Sequence, residues 1–193
     1  MTTPRDLSAL RLDQRDGLPD ALRELLAQYP RDGWAADPGF SALVRFWLDR
    51  HMMFRRVLAE MTDKSQSLLD NRLDPQHFTR ALSRLGGMFV TGLHEHHMIE
   101  DHHYFPKLRL KDLRLDRGFD MLDADHHALD RHLTEFVTIA NEVVTAQQSN
   151  GVIQTETGRL LHEISNMSDL LDRHLTDEED LIVPVILAHG APD

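Results

Sequence analysis

The sequence contains no cysteine and no long apolar run, and its basic residues are few. Without cysteine there is no disulfide, iron–sulfur cluster, thiolate zinc site or cysteine nucleophile, so any chemistry must come from histidine, carboxylate and hydroxyl groups. No apolar stretch approaches the ~20 residues that span a bilayer, and residues 1–17 lack the apolar centre of a signal peptide. The formal net charge of −11 and the lack of a basic stripe argue against nucleic acid or an anionic membrane as a partner. We therefore expect a cytoplasmic protein.

What the sequence does contain is histidine, 13 in 193 residues, which is high for an acidic chain and favours a metal-binding interpretation. The length suits one domain with a substantial core. We predict an N-terminal extension over residues 1–36, with a short helix near Leu18–Gln28 that packs outside the main body. The remaining domain is expected over residues 37–188.

Four segments of this domain repeat apolar residues at spacings of three and four, the pattern of amphipathic helices. Asp37-Pro38 and Asp74-Pro75 provide cap-plus-proline starts for helices A and B. Helix A is expected to reach about Lys64. Helix B is expected to end, or to give way to a loop, at Pro106. Helix C is expected from about Asp116 to a stop at Asn150-Gly151, and helix D from about Thr155. Short to moderate connections and no strand alternation predict an all-α fold, an antiparallel up-down-up-down four-helix bundle.

One pattern occurs twice. The stretch His94–Pro106 reads HEHHMIEDHHYFP and the stretch His174–Pro184 reads HLTDEEDLIVP. Alignment of their prolines pairs His96 with His174 and Glu100 with Glu178. Each copy thus carries His-x-x-x-Glu, and residues four apart lie on one face of a helix. Two such copies predict one two-part site.

Four histidines, one in each helix, occupy positions where the spacing calls for an apolar residue, whereas His97 and His127 fall about 100° away. Inward polar groups cost several kcal/mol unless they are paired or bind metal. Four imidazoles and two carboxylates suit a pair of first-row divalent ions. The predicted ligands are His51, His96, Glu100, His126, His174 and Glu178.

These motifs resemble the hemerythrin-like domain, the HHE cation-binding family, over roughly residues 38–186. The matching elements are His51, the run HHMIEDHHYFP, the run DHHALD with His126, and the run HLTDEEDLIVP. The resemblance implies an antiparallel four-helix bundle with two iron ions in a non-haem centre, bridged by Glu100 and Glu178. By the same resemblance His51 and His96 serve one ion, and His126 and His174 the other. Zinc or another divalent metal can replace iron in purified protein.

The implied function is binding of O₂, or of a related small oxidant such as peroxide or nitric oxide, for sensing, scavenging or storage. Whether substrate is turned over stays open, as does the oligomeric state. One alternative is a ferritin-like di-iron oxidase, for which Glu100-x-x-His103 is the only matching triplet. Another is an interaction bundle that metal stabilises without chemistry.

Several residues around this ligand set stay open. Blood-type hemerythrins have a second histidine four residues after the one on helix C, where this chain has Asp130, itself a candidate ligand. His103 and His127 are further candidates. Asp101 and Glu179 follow the bridging carboxylates and are candidates for hydrogen bonds to imidazole N–H groups. The remaining histidines are expected at the surface: His77, His94, His102, His132, His162 and His189.

Overall fold

The structure, a computed structural model, describes residues 10–149 and 151–192, and all regular secondary structure within them is helical. The α-helices are α1 Glu24–Gln28, α2 Ala42–Leu69, α3 Pro75–Ile99, α4 Phe105–Leu108, α5 Asp116–Gln148 and α6 Gln154–His189. Three short 3₁₀ turns lie at Asp20–Leu22, Arg31–Ala36 and Leu113–Leu115. No strand occurs in the described ranges, and the all-α prediction is confirmed. None of the helices in those ranges combines the length and the apolar character that a bilayer crossing requires.

The helix ends follow local capping chemistry, and α2 departs from the sequence prediction at both ends, since it continues to Leu69 rather than to about Lys64. Asp74 caps α3 as expected, because its carboxylate accepts a hydrogen bond from the His77 amide at 2.9 Å. Helix α2 begins at Ala42, where the Ser41 hydroxyl accepts from the Val44 amide, and not at Asp37-Pro38. Helix α5 ends at Gln148; Asn150, the predicted stop, lies outside the described residues.

Pro106 does not end the second long helix. A five-residue π-helix, Glu100–Tyr104, joins α3 directly to α4, in which Pro106 lies in the first turn. The amide of Phe105 donates to the carbonyl of Glu100, five residues earlier, so the turn holds one residue more than an α-helical turn. That extra residue shifts every later side chain around the helix axis. It explains why Phe105, and not His103, is the next buried residue after Glu100.

The chain divides into two compact units. The first unit comprises described residues 10–51, 97–128 and 172–192. Its core contains apolar residues of the N-terminal segment, Leu18, Leu22, Leu25 and Trp34, packed with residues of α2, α4, α5 and α6. The prediction that the short helix near Leu18–Gln28 packs outside the main body is therefore wrong. The apolar face of the segment is too continuous to remain in water, and it forms part of the core.

The second unit comprises described residues 52–96, 129–149 and 151–171. Its core is aliphatic and aromatic. The ring of Phe89 lies edge-on to Phe54 and to Phe136, with a centroid distance of 6.2 Å in each case. Gly86 faces the Phe136 ring so closely that a Cβ there would be 3.3 Å from it. This glycine lets α3 and α5 approach each other within the unit.

Candidate metal centre

Three imidazoles form a buried cluster in the first unit. His97, His126 and His174 are all buried, and one ring nitrogen from each lies within 4.8 Å of the others. The rings of His97 and His126 are stacked with centroids 3.9 Å apart, and the His174 ring stands edge-on to both. The three side chains come from α3, α5 and α6. Such a cluster of buried nitrogens is a typical metal-binding arrangement.

A second group lies in the same unit and combines one imidazole with two carboxylates. One atom each from His51, Glu100 and Glu178 lies within 4.8 Å of the others, and all three side chains are buried. His51 comes from α2, Glu100 opens the π-helix, and Glu178 lies on α6. This donor set of nitrogen and carboxylate oxygen suits a first-row divalent ion.

Glu178 faces both groups. Its Oε2 lies 3.6 Å from Nε2 of His51 and 3.5 Å from Nε2 of His174. The other carboxylate has a similar separation, with Glu100 Oε2 at 3.6 Å from Nε2 of His126. These separations are too long for hydrogen bonds. They match two donors that each make a bond of about 2.1 Å to a shared ion, which lie about 3.0–3.6 Å apart for ordinary coordination angles.

The unused hydrogen-bonding capacity of these atoms supports the same interpretation. Nε2 of His126, Nε2 of His174 and Oε2 of Glu178 are buried and make no hydrogen bond within the described part of the chain. A buried polar atom left in that condition costs about 1–3 kcal/mol. Three of them converge, which indicates a centre built around cations, and the residues present fit divalent metal ions.

Hydrogen bonds on the far side of three rings fix which nitrogen faces this centre. Nδ1 of His126 lies 2.8 Å from Asp101, Nδ1 of His174 lies 3.2 Å from Asp125, and Nδ1 of His51 lies 3.0 Å from Glu179. A carboxylate only accepts hydrogen bonds, so each Nδ1 carries the proton and donates. In a neutral imidazole of this tautomer Nε2 carries the lone pair that can bind a metal. Asp101 and Glu179 had been predicted for this role; the third carboxylate, Asp125, had not.

The protonation states of these groups follow from their surroundings. Burial lowers the pKa of His174, which favours the neutral imidazole that can bind metal. Burial would raise the pKa of Asp125, but the hydrogen bonds from Arg15 and His174 lower it below its ordinary value, so Asp125 is a carboxylate. Burial, together with the charge of nearby Glu178, holds the pKa of Glu100 well above its ordinary value. Two buried carboxylates this close are stable together only with a proton or a cation between them.

Five of the six predicted ligand residues, all except His96, are thus buried together in the first unit. His96 ends the first segment of the second unit, where it is half-buried and its ring lies 5.3 Å from Phe54. The structure places His97 in the imidazole cluster, so the prediction that His97 points away from the site is wrong. His97 lies four residues after buried Leu93 and three before buried Glu100, so it fits the three-and-four spacing as well as His96 does, and apolar spacing alone could not choose between the two.

The remaining candidates lie at the surface. His103, Asp130 and His127 are exposed, and Nδ1 of His127 lies 2.8 Å from the Asp123 carbonyl of its own helix. Of the six histidines expected at the surface, His132 is half-buried beside Glu163 at 2.9 Å, and the other five are exposed: His77, His94, His102, His162 and His189.

Sequence reasoning also missed the charged residues behind the centre. Asp177, next to Glu178, is fully buried and accepts a hydrogen bond from Arg15 at 2.7 Å. Burial raises the pKa of Asp177 despite that arginine. The one available signal was the acidic run Asp177–Asp180, in which too many carboxylates follow one another for all of them to face solvent.

Comparison with known proteins agrees with the motifs. The family model for the hemerythrin HHE cation-binding domain matches residues 42–186. Searches of curated proteins and of solved structures found no match to this chain. The matched range covers most of the chain and contains every residue of both donor groups. The resemblance inferred from the sequence is thereby confirmed, and the chain belongs to the hemerythrin HHE cation-binding family.

Proposed function

We propose that this chain is a non-haem di-iron protein that binds O₂, or a related small oxidant such as peroxide or nitric oxide, for sensing, scavenging or storage. The observation that carries the proposal is the position of Glu178, whose Oε2 lies 3.6 Å from Nε2 of His51 and 3.5 Å from Nε2 of His174. One carboxylate that faces two donor groups is suited to bridge two cations. Family membership supports iron as the metal.

In this proposal His97, His126 and His174 hold one ion, and His51 holds the other, with Glu100 and Glu178 shared. His96 is proposed as a further ligand of the second ion, as the sequence predicted. It precedes Glu100 by four residues, which places the two on one face of a regular helix. The long helices α2, α3, α5 and α6 are proposed to run alternately up and down as an antiparallel four-helix bundle, an arrangement favoured by their short connections.

Binding of a small oxidant is supported by the donor count. Five imidazoles and two bridging carboxylates do not fill two six-coordinate ions, and open positions are typical of non-haem iron sites that bind oxygen. When bound, the iron pair would supply the electrons for this chemistry. The contribution of the chain is a buried centre with neutral imidazoles and fixed tautomers.

The ferritin-like oxidase alternative loses its one supporting motif, because His103 of Glu100-x-x-His103 is exposed. The alternative of a metal-stabilised interaction bundle without redox chemistry has no specific observation in its favour. It remains an outcome that the following experiment separates.

The test is anaerobic loading of the full chain with Fe²⁺, followed by metal analysis and exposure to air. We expect two iron ions per chain and an oxo-bridged ferric absorption. Reversal of that absorption on deoxygenation indicates carriage, and irreversible oxidation with peroxide consumption indicates catalysis. Two bound ions with no spectral change would leave only the interaction bundle.

Two variants sharpen this test. Glu178→Ala removes the shared carboxylate and is expected to halve or abolish iron uptake. His162→Ala removes an exposed histidine of α6 and is expected to leave uptake at two ions. Equal iron content in the two variants would contradict the bridging role of Glu178.

A further inference from the structure

Two arginines of the N-terminal segment lie directly behind the candidate metal centre. Arg15 is the more buried, with a side chain that is 3% exposed. Its guanidinium makes a two-point contact with the Asp125 carboxylate, donates from Nε to Asp177 at 2.7 Å, and donates to the Leu10 carbonyl at 2.7 Å. Asp125 in turn accepts from Nδ1 of His174 at 3.2 Å. A continuous chain of hydrogen bonds therefore runs from Arg15 to a ring of the imidazole cluster.

Arg31 makes the equivalent connection to the other donor group. Its Nη1 donates to Oε2 of Glu179 at 2.8 Å, and its Nε donates to Asp180 at 2.6 Å. The other oxygen of Glu179 lies 3.0 Å from Nδ1 of His51. The Arg31 guanidinium also lies 4.9 Å from the centre of the Trp34 ring, within the range of a cation–π contact. A second chain of hydrogen bonds therefore runs from Arg31 to His51.

A third carboxylate, Asp101, also accepts a hydrogen bond from an imidazole of the centre, but its surroundings differ. Asp101, which accepts from His126, is 21% exposed and receives no arginine from the described part of the chain. Arginine support is thus given to one histidine of each donor group, His174 and His51. Both arginines also precede residue 42, where the match to the family begins. This support is therefore supplied by a segment outside the matched domain.

We propose that the N-terminal segment is a working part of the metal centre, in which Arg15 positions Asp125 and His174 for one ion, and Arg31 positions Glu179 and His51 for the other. Both arginines are positioning residues, since neither contacts a donor nitrogen. The proposal rests on the proposed function, in that it requires the centre to hold metal. It adds that the two ions are controlled separately, each by its own arginine.

The physical reason is the geometry of the guanidinium group. The planar fork of Arg15 matches the Asp125 carboxylate at two points, and the fork of Arg31 donates once to Glu179 and once to Asp180. Each arginine thereby holds its carboxylate in an orientation that also accepts the imidazole N–H. Loss of the group that hydrogen-bonds a metal ligand directly, here Asp125 or Glu179, typically lowers metal affinity 10- to 100-fold. Loss of the arginine one bond further out is expected at the lower end of that range. A purely electrostatic role predicts the opposite sign, because removal of a positive charge near a cation strengthens cation binding.

The test uses the full chain loaded with Co²⁺, with the two stepwise dissociation constants measured by chelator competition. Arg15→Met is expected to weaken one ion about 10-fold, and Arg31→Met to weaken the other. Paramagnetically shifted N–H signals of the bound imidazoles give a second readout, since they report solvent exchange at each ring. We expect faster exchange at His174 alone in Arg15→Met, and at His51 alone in Arg31→Met.

Arg114→Met is the matched control. Arg114 also ties the N-terminal segment to the body, through Glu24 and through Asp112 at 2.6 Å, but it contacts no carboxylate that holds a proposed ligand. It should leave both constants within about twofold. If Arg15→Met does not fold, Arg15→Lys, which keeps the charge and loses the fork, is expected to show the same one-ion effect, and Arg31→Met tests the other half.

The outcomes separate the two proposals. Failure of the unaltered chain to bind two metal ions overturns the proposed function. Normal binding by the unaltered chain, with both arginine variants indistinguishable from Arg114→Met, overturns the positioning role alone. Equal weakening of both ions in each variant also overturns it, because a general loosening of the fold would do the same. Tighter metal binding in Arg15→Met would also overturn the positioning role, because it would show that Arg15 acts through repulsion between its charge and the ion.

Discussion

The two compact units differ in what they bury. The second unit buries a core of aromatic and aliphatic side chains, and its few buried polar side chains include Ser65 and Thr79, whose hydroxyls bond to carbonyls of their own helices. The first unit contains, besides its apolar core, nearly all of the charged and imidazole side chains that are buried in the described residues. Buried charges of this kind cost stability unless they are paired or bind metal. The buried side chains of the second unit thus mainly stabilise the fold. Those of the first unit lower its stability in the absence of metal and form the candidate metal centre.

The largest expected effect is a loss of stability caused by a substitution in the core of the second unit. Metal uptake by the first unit should be unchanged. Phe89→Ala removes a fully buried ring that contacts Phe54 and Phe136, and should lower the free energy of unfolding by about 3–5 kcal/mol. Urea denaturation of the metal-free protein measures this loss. Phe46→Ala is the control, because Phe46 is 64% exposed and its removal should cost at most about 0.5 kcal/mol. Loss of metal uptake by a folded Phe89→Ala variant would contradict the division of roles.

Metal addition should act on the first unit. Cations between its carboxylates and imidazoles remove the cost of burying them, and a ligand at 100 times its dissociation constant stabilises by about 2.7 kcal/mol. Hydrogen exchange is expected to slow most for amides of residues 97–128 and 172–192 that exchange by local opening. The Glu178→Ala variant should show no such slowing. Uniform slowing across both units would argue against a localised effect.

The protonation of Glu100 gives a smaller effect with a definite sign. Burial, then the charge of Glu178, raises the pKa of Glu100 in the folded metal-free chain. The folded chain therefore holds a proton there that the unfolded chain has lost, and this contribution to stability fades as the pH rises through the raised pKa. Zn²⁺ must displace that proton. Calorimetric titration in two buffers of different ionisation enthalpy should detect proton release on Zn²⁺ binding at pH values above the ordinary pKa of a glutamate. The release should be smaller in Glu100→Gln.

The smallest expected effects come from alanine substitutions at two helical glycines, Gly118 in the first unit and Gly87 in the second. A Cβ at Gly118 of α5 would lie 2.7 Å from Cδ2 of Leu181, three residues beyond Glu178 on α6. Gly118→Ala should therefore lower the free energy of unfolding by about 1 kcal/mol, since overpacking outweighs the gain in helix propensity. Gly87 of α3 has nothing within 4 Å of such a Cβ, and Gly87→Ala should stabilise by up to about 1 kcal/mol. Thermal melts compare the two, and equal shifts would refute the close contact at Gly118.

The long helices and most of the site could be predicted from the sequence because buried residues recur every three or four positions along a helix. Leu171, His174 and Glu178 of α6 are all fully buried, as their spacing of three and four requires. The same argument placed His51 and His126 correctly in the interior. A polar residue in an apolar stripe is a strong signal, since it must find a partner or a metal there.

The three-and-four spacing gave a wrong prediction where the backbone departs from α-helical geometry. The hydrogen bond from the Phe105 amide to the Glu100 carbonyl, five residues earlier, cannot be deduced from apolar spacing. The widened turn leaves His103, a candidate ligand in the sequence, at the surface. The proline at position 106 was the available clue. Lacking an N–H, Pro106 cannot donate to the carbonyl four residues earlier, and irregular helical turns are common next to such a residue.

Contacts between residues that are distant along the chain could not be predicted from the sequence either. Arg15 lies 110 residues from Asp125 and 162 residues from Asp177 along the chain. An arginine in a mixed N-terminal segment has no periodic context, so nothing local distinguishes it from a solvated charge. Only the folded arrangement brings its guanidinium against the two carboxylates.

Trp47 gives the protein a built-in optical reporter. Its indole N–H donates to Oε1 of Glu178 at 2.5 Å, whereas Trp34, the other tryptophan of the chain, donates to the Tyr29 carbonyl. A paramagnetic ion held by Glu178 would quench the fluorescence of Trp47 more than that of Trp34. Loading and release of the centre can therefore be followed by light emission from the unlabelled chain.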